Sequence, residues 1–244
     1  MQIKICKTKK EVSLYACQEA ARIIKKNIQL KGWTKVVFAT GKSQLLFLKC
    51  LAKDSSIDWQ KVEIFQLDEF IGLSENNKSS FRRFLQENFI DKVNLGKANL
   101  INGKTDHLKA ELSRLNRLLF NQKIDLTFLG IGENGHIAFN DPPADVKTTQ
   151  PYLVVTLDNR NKTQQVKEGL FPRTSAVPSQ AISMSVHQIM KSKKILCLAF
   201  GKRKAKAVKE NFQQKSGPHY PASALRKHNQ ALIVLDEGAA ALLQ

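Results

Sequence analysis

A chain of 244 residues with 42% hydrophobic and 25% charged residues can bury one sizeable core, and that usage excludes a disordered or low-complexity polypeptide. No run approaches the roughly 18–20 apolar residues of a membrane-spanning helix, and Met1-Gln2-Ile3-Lys4-Ile5-Cys6 lacks the apolar core of a secretory signal, so a cytoplasmic protein is expected. The 39 Lys and Arg residues against 21 Asp and Glu give a formal net charge of +18, which favours anions without choosing among nucleic acid, acidic membrane and phosphorylated metabolites.

In chain order, Val12, Cys17, Ala20, Ala21, Ile24 and Ile28 recur at helical spacing between Glu11 and about Leu30, and Lys31-Gly32 closes that helix. Lys35–Ala39 is a β-branched and aromatic run. It leads through Thr40-Gly41-Lys42-Ser43 into a helical stretch carrying Leu45, Leu46, Leu48 and Leu51. The unit is strand, tight turn, helix. Gly41 permits the turn, free N–H groups at the helix start suit a phosphate, Lys42 adds charge, and Ser43 alternatively serves as a helix cap.

Gly41-Lys42-Ser43 also matches the end of a P-loop, and Leu232–Glu237 matches its magnesium-serving acidic strand. The full motif requires glycine at position 36, which is Val36, so a triphosphate-binding loop is not expected. Further on, Val62–Phe65 forms a strand that runs to Asp68-Glu69. A partly desolvated carboxylate there could abstract a proton, and the plainer reading of the pair is capping of the next element.

Ile124–Leu129 leads into Gly130-Ile131-Gly132-Glu133-Asn134-Gly135-His136-Ile137-Ala138-Phe139-Asn140-Asp141. Its three glycines permit close backbone approach to a ligand. A histidine side chain ordinarily titrates near neutrality, and Asp141 is a carboxylate able to orient His136 for proton transfer. Ile195–Phe200 then leads to Gly201-Lys202-Arg203-Lys204, where a lysine either reaches a phosphate or joins a basic solvated face, and Ala231–Leu235 ends at Asp236. Short apolar strands alternating with helices predict an α/β fold with a mostly parallel, doubly wound (Rossmann-like) sheet and helices on both faces. Such sheets bind ligands beyond the carboxyl ends of their strands. No repeat or linker divides residues 1–244, which are read as a single domain.

Positive charge is spread through Lys7–Lys10, Lys25-Lys26, Lys191–Lys194 and Lys202–Lys209, with few interleaved aromatics and no nucleic-acid motif. It is read as a solvated surface, which weighs against a nucleic-acid partner. Cys6, Cys17, Cys50 and Cys197 are widely spaced, form no Cys-x-x-Cys pair, and are expected to be reduced packing residues.

Taken in this order, Leu67-Asp68-Glu69-Phe70-Ile71-Gly72-Leu73 with Ser80-Phe81, and Gly132–Asp141, resemble the glucosamine-6-phosphate deaminase family, whose relatives include the 6-phosphogluconolactonases. The resemblance runs nearly the whole chain. Gly135-His136-Ile137-Ala138-Phe139-Asn140 is similar to the deaminase branch; lactonases typically follow Gly-His with Thr and Ala.

The resemblance implies conversion of an amino-sugar 6-phosphate, most simply glucosamine 6-phosphate, with water into fructose 6-phosphate and ammonia, without a metal or organic cofactor. It places the C2-proton base at Asp68, the ring-opening acid/base at His136, and supporting groups at Asn134 and Asp141, where many relatives carry the longer glutamate at the latter position. Phosphate binding falls to Thr40, Gly41, Lys42, Ser43 and Lys204, with Lys42 replacing a small residue. Gln165 lies roughly where some relatives use arginine near the substrate. The expected partner is a small sugar phosphate, with no membrane association, and assembly into a homo-oligomer is left open. Competing readings are a galactosamine-6-phosphate deaminase, a lactonase and a non-catalytic sugar-phosphate sensor.

Overall fold

A computed structural model describes residues 1–244. In chain order the strands are β1 (Gln2–Cys6), β2 (Thr34–Phe38), β3 (Val62–Gln66), β4 (Asp68–Phe70), β5 (Lys97–Asn99), β6 (Leu126–Gly130), β7 (Tyr152–Thr156), β8 (Gln180–Met184), β9 (Lys194–Ala199) and β10 (Ala231–Asp236). The helices are α1 (Lys9–Lys31), α2 (Lys42–Ala52), α3 (Phe81–Asn88), α4 (Leu108–Leu119), α5 (Asn159–Lys167), α6 (Val186–Met190), α7 (Ala205–Lys209) and α8 (Glu237–Ala240). No helix is long and apolar enough to cross a membrane.

Local sequence explains the ends of α1. Thr8 accepts a hydrogen bond from the Glu11 N–H while the Glu11 carboxylate accepts from the Lys7 N–H, so the two side chains satisfy donors at the helix start. At the other end Gly32 takes φ 81°, a left-handed conformation that glycine adopts without steric penalty, and donates to the Ile28 carbonyl. The helix begins two residues before the sequence pattern suggested, because the cap lies outside the apolar stripe.

Seven strands form an all-parallel sheet in the order β1-β10-β9-β6-β2-β3-β5. Val36, Val37 and Phe38 of β2 and Leu126, Phe128 and Leu129 of β6 have no exposed surface. Helices cover both faces, as expected where strands read as continuous apolar runs. From β2 the chain winds outward through β3 to β5, then returns to place β6 on the other side of β2. The winding therefore reverses between β2 and β6, and the crevice beyond their carboxyl ends is the natural ligand site of such a sheet.

A second, antiparallel sheet, β4-β8-β7, hangs from the carboxyl edge of the first. Leu67 is the seam: its N–H donates to Phe38 O at 3.0 Å and its carbonyl accepts from Met184 N at 2.9 Å. Asp68, the next residue, is thereby held where the two sheets meet. Phe70, Phe81 and Phe139 pack in contact beneath this small sheet, with ring centroids 4.8–5.5 Å apart.

The expectation of four separate thiols is corrected for two of them. Packing of α1 against α2 brings the Cα atoms of Cys17 and Cys50 to 6.2 Å, within bridging range, and the two form a disulfide. Cys6 and Cys197 remain free and buried.

Candidate active site

Asp68 lies 5% exposed at the end of the β3-to-β4 passage and takes no charged partner, so its carboxyl has little solvent to stabilise an ionised form. Burial, reinforced by the neighbouring Glu69 carboxylate, raises it well above the usual aspartate range. Glu69 behaves differently. Its two oxygens accept from the N–H groups of Phe70 (2.9 Å), Phe81 (3.1 Å) and Arg82 (2.7 Å) and from Ser80 Oγ (2.8 Å), which anchors the start of α3. The adjacent carboxylates are thus divided: Glu69 caps a helix, and Asp68 faces a cavity.

That cavity, of about 380 Å³, sits at the switch point of the large sheet. Asp68, Thr40, Gly41, Lys42, Ser43, His136 and Lys204 all line it, together with Gln165 and Glu168 from the α5 segment. Gly41 occupies the N-cap of α2 at φ 88°, with no side-chain cap bond, so Ser43 is not the cap that the sequence allowed. Gln44, one residue on, donates to the Leu129 carbonyl at 3.1 Å and ties this turn to the end of β6.

The His136 loop is shaped by its glycines in a way the sequence did not reveal. A Cβ on Gly132 would collide with the His136 ring, so Gly132 makes room for the histidine and not for a ligand. Gly135 adopts φ 86°, and a Cβ there would meet Asn211 Nδ2 at 2.5 Å. Ala138, which lines the cavity, is held at φ 51°, a conformation rare for a residue with a side chain.

Behind the cavity, His136 Nδ1 lies 3.0 Å from Asp141 Oδ1, both residues being buried. The ring nitrogen has no aligned hydrogen-bond partner, so the contact is that of a close ion pair whenever the imidazole carries a proton. Asp141 also accepts from Asn134 Nδ2 (3.0 Å), from the Asp158 N–H (3.0 Å) and from Asn161 Nδ2, which is 3.0 Å from each carboxylate oxygen. Burial works to raise the Asp141 carboxyl, but the His136 ring and the surrounding donors outweigh it and hold it below the usual range. Asn134 in turn donates to Asp158 Oδ2 at 3.1 Å and accepts from the His136 N–H at 3.1 Å. Neither Asn134 nor Asp141 lines the cavity.

On the opposite wall Gly201, at φ 87°, opens the turn that carries Lys204. Asp236 accepts from the Gly201 N–H at 2.9 and 3.0 Å and from the Ala239 N–H at 2.7 Å, so the acidic end of β10 shapes this turn and caps α8. Burial pulls the Lys204 ammonium below its usual range, while Glu168 and Glu133 hold it up. A poorly solvated cation of this kind gains more from an incoming anion than a solvated one does. No group of three or more His, Cys, Asp and Glu side chains is placed to hold a metal ion.

Sequence reasoning missed Asp158 and Asn161. They occur in Asp158-Asn159-Arg160-Asn161, a polar stretch whose one local signal is that of a helix cap, which Asp158 indeed provides to the Asn161 N–H at 2.6 Å.

Comparison with known proteins adds four likenesses of different weight. Residues 7–234 match the family model described as glucosamine-6-phosphate isomerases/6-phosphogluconolactonase. The glucosamine-6-phosphate deaminase of Oenococcus oeni is 37% identical over 228 residues, covering 93% of this chain and 94% of its own. A solved structure described as a monomeric glucosamine-6-phosphate deaminase superposes with a TM-score of 0.89 at 30% identity, covering 99% of this chain and 100% of that one. A 6-phosphogluconolactonase from Shewanella baltica superposes at 0.79 with 18% identity over 97% of each chain, a likeness of fold alone.

Proposed function

Since the chain belongs to the glucosamine-6-phosphate isomerase/6-phosphogluconolactonase family, we propose that it converts glucosamine 6-phosphate and water into fructose 6-phosphate and ammonia. The observation that carries this reading is one cavity in which a desolvated carboxyl, Asp68, and an acid/base histidine, His136, share the walls with a group of cations that includes Lys42 and Lys204.

The chemistry needs each of these groups. The 6-phosphate docks against the Thr40-Gly41-Lys42-Ser43 turn, whose N–H groups open the α2 helix, and against the Lys204 ammonium. His136 moves a proton between the ring oxygen and the anomeric hydroxyl, giving the open-chain aldehyde; Asp141 holds the imidazole through its close contact with Nδ1, and Asn134 holds the His136 backbone N–H. Asp68 then removes the proton from C2 while the aldehyde oxygen takes one from the substrate's ammonium group, and the resulting enol carries a hydroxyl on C1 and the amine on C2. Return of the proton held by Asp68 to C1 leaves an iminium at C2. Water adds to this carbon, the C–N bond breaks, and ammonia departs with the ketose as product. A base raised by burial is suited to this task, because its affinity for the C2 proton is greater than that of a solvated aspartate.

The alternatives raised by the sequence are not favoured. The relatives that cover most of this chain at 30–37% identity carry the glucosamine-6-phosphate deaminase name, whereas the lactonase likeness stands at 18%. We place the reaction in the cytoplasm, where phosphorylated sugars are retained and where thiol reductants would open the Cys17–Cys50 pair. The decisive measurement is simultaneous assay of ammonia and fructose 6-phosphate from glucosamine 6-phosphate, with Asp68→Asn as control. Equal amounts of the two products, lost in the variant, are expected; consumption of 6-phosphogluconolactone or of galactosamine 6-phosphate alone would overturn the assignment.

A further inference from the structure

Asn161 and Gln165 stand one turn apart on α5 and join the buried acid/base pair to the cavity wall. Asn161 has no exposed surface, and its Nδ2 lies 3.0 Å from both oxygens of Asp141. An ionised carboxylate only accepts hydrogen bonds, so Asn161 must turn its NH2 group towards Asp141 and its carbonyl oxygen away. That oxygen, Oδ1, accepts from Gln165 Nε2 at 2.8 Å. The orientation of Gln165 is therefore dictated in turn: its NH2 is engaged with Asn161, and Oε1 is the end left free on a residue that lines the cavity. The charge on Asp141 thus sets, through two amides, the polarity that α5 presents to a bound molecule.

From this arrangement we propose that Gln165 is a substrate-contacting, specificity-determining residue whose amide oxygen accepts a hydrogen bond from a hydroxyl or amino group of the sugar, with Asn161 as the positioning residue that couples this contact to the His136–Asp141 pair. The assignment rests on the amino-sugar phosphate reading above. It divides recognition in the cavity into two parts. Lys42 and Lys204 offer cations to the phosphate, and the α5 wall, through Gln165 Oε1 and the Glu168 carboxylate, offers acceptors to the donor-rich sugar chain. A free phosphate has no use for the second part.

Calorimetric binding in an Asp68→Asn background, which holds substrate unreacted, tests the contact with glucosamine 6-phosphate and inorganic phosphate as separate probes. Gln165→Leu, similar in size but without the amide, is expected to weaken glucosamine 6-phosphate binding about tenfold, as loss of one hydrogen bond does, and to leave inorganic phosphate within about twofold. Equal affinity of the two forms for the sugar phosphate would overturn the contact, as would an equal loss for both probes. The coupling is tested with Asn161→Asp in the active enzyme. This substitution keeps the shape but adds a negative charge beside Asp141, so the kcat/KM limb set by the His136–Asp141 pair moves to higher pH by about one unit; an unmoved limb in a folded variant would overturn it. If wild-type protein releases no ammonia, the proposed reaction fails, but the binding arm still decides whether Gln165 reads a sugar phosphate. Should Asn161→Asp not fold, the same limb measured in Gln165→Leu, which leaves Asn161 Oδ1 unpaired, decides the coupling by shifting or staying.

Discussion

His136 Nδ1 approaches Asp141 Oδ1 to 3.0 Å although Asp141 is one methylene shorter than the glutamate many relatives carry. The contact closes because the carboxylate is held from behind by Asn134, Asn161 and the Asp158 N–H, which fix it against the ring. Asp141→Asn therefore removes the charge that faces the His136 ring and turns an NH2 group towards donors. Activity on glucosamine 6-phosphate is expected to fall about a hundredfold, the lower end of what a positioned acid/base contributes. The stability effect has a definite sign. A depressed carboxyl contributes stability that is present above its unfolded value, about 3.9, and is lost as pH falls through the folded one. The melting temperature difference between wild type and variant is accordingly largest near neutrality and shrinks in acid, which thermal melts from pH 7 downwards would show.

Asp68 carries the opposite sign. Its folded value is raised, chiefly by burial and then by Glu69, so the protein is most favoured with Asp68 protonated and loses that advantage as pH rises through the folded value. Asp68→Asn should lower kcat by about 10²–10⁴-fold. The same variant should melt several degrees higher than wild type at pH 8, with the gain vanishing below about pH 3.9, where the wild-type carboxyl is neutral in both states. A variant that loses activity and also melts lower at pH 8 would contradict the burial argument.

Glu69 offers a way to separate charge from structure at the same strand end. Both of its oxygens already accept hydrogen bonds, so a glutamine in either orientation places its NH2 group against N–H donors. Glu69→Gln is expected to cost about 1–3 kcal/mol of stability in denaturant melts. It also removes the second cause of the raised Asp68 value, and the acid limb of kcat should move to lower pH. A limb that stays in place while stability falls would mean that Glu69 acts only as a cap.

The sequence made the fold's central part legible because β2, β3, β6, β9 and β10 are short apolar runs followed by glycine or acidic turns, a pattern that buried parallel strands dictate. β1 escaped it: an edge strand pairs on one side only, leaves Ile3 and Ile5 exposed, and finds its partner more than 200 residues away, from Gln2 to Leu232. The antiparallel sheet escaped for a related reason, since β4 has three residues and gains its identity from β8. Within the cavity, the positions legible in advance were those following strands. Asn161 and Asp158 were not, because their importance arises from a 17–20-residue separation from Asp141 that no local pattern encodes.

The same distinction between local signal and tertiary setting makes Lys42 and Lys204 unequal. Lys42 was visible as a charge at a helix start, but it stands where N–H groups already serve an anion, and its Nζ extends towards the far wall, within 3.8 Å of where a Cβ on Gly169 would lie. Lys204 is half-buried in a turn held by Asp236, and burial lowers its ammonium, so an arriving phosphate relieves that cost. Lys204→Ala should raise KM for glucosamine 6-phosphate by about 10–150-fold, the range of a charge-assisted hydrogen bond. Lys42→Ala should raise it by less, about threefold to tenfold, with the increment shrinking as salt rises from 0.05 to about 0.5 M because exposed charges are screened. Steady-state kinetics of both variants across that salt range checks the order; a larger and salt-insensitive loss at Lys42 would reverse the roles assigned to the two walls.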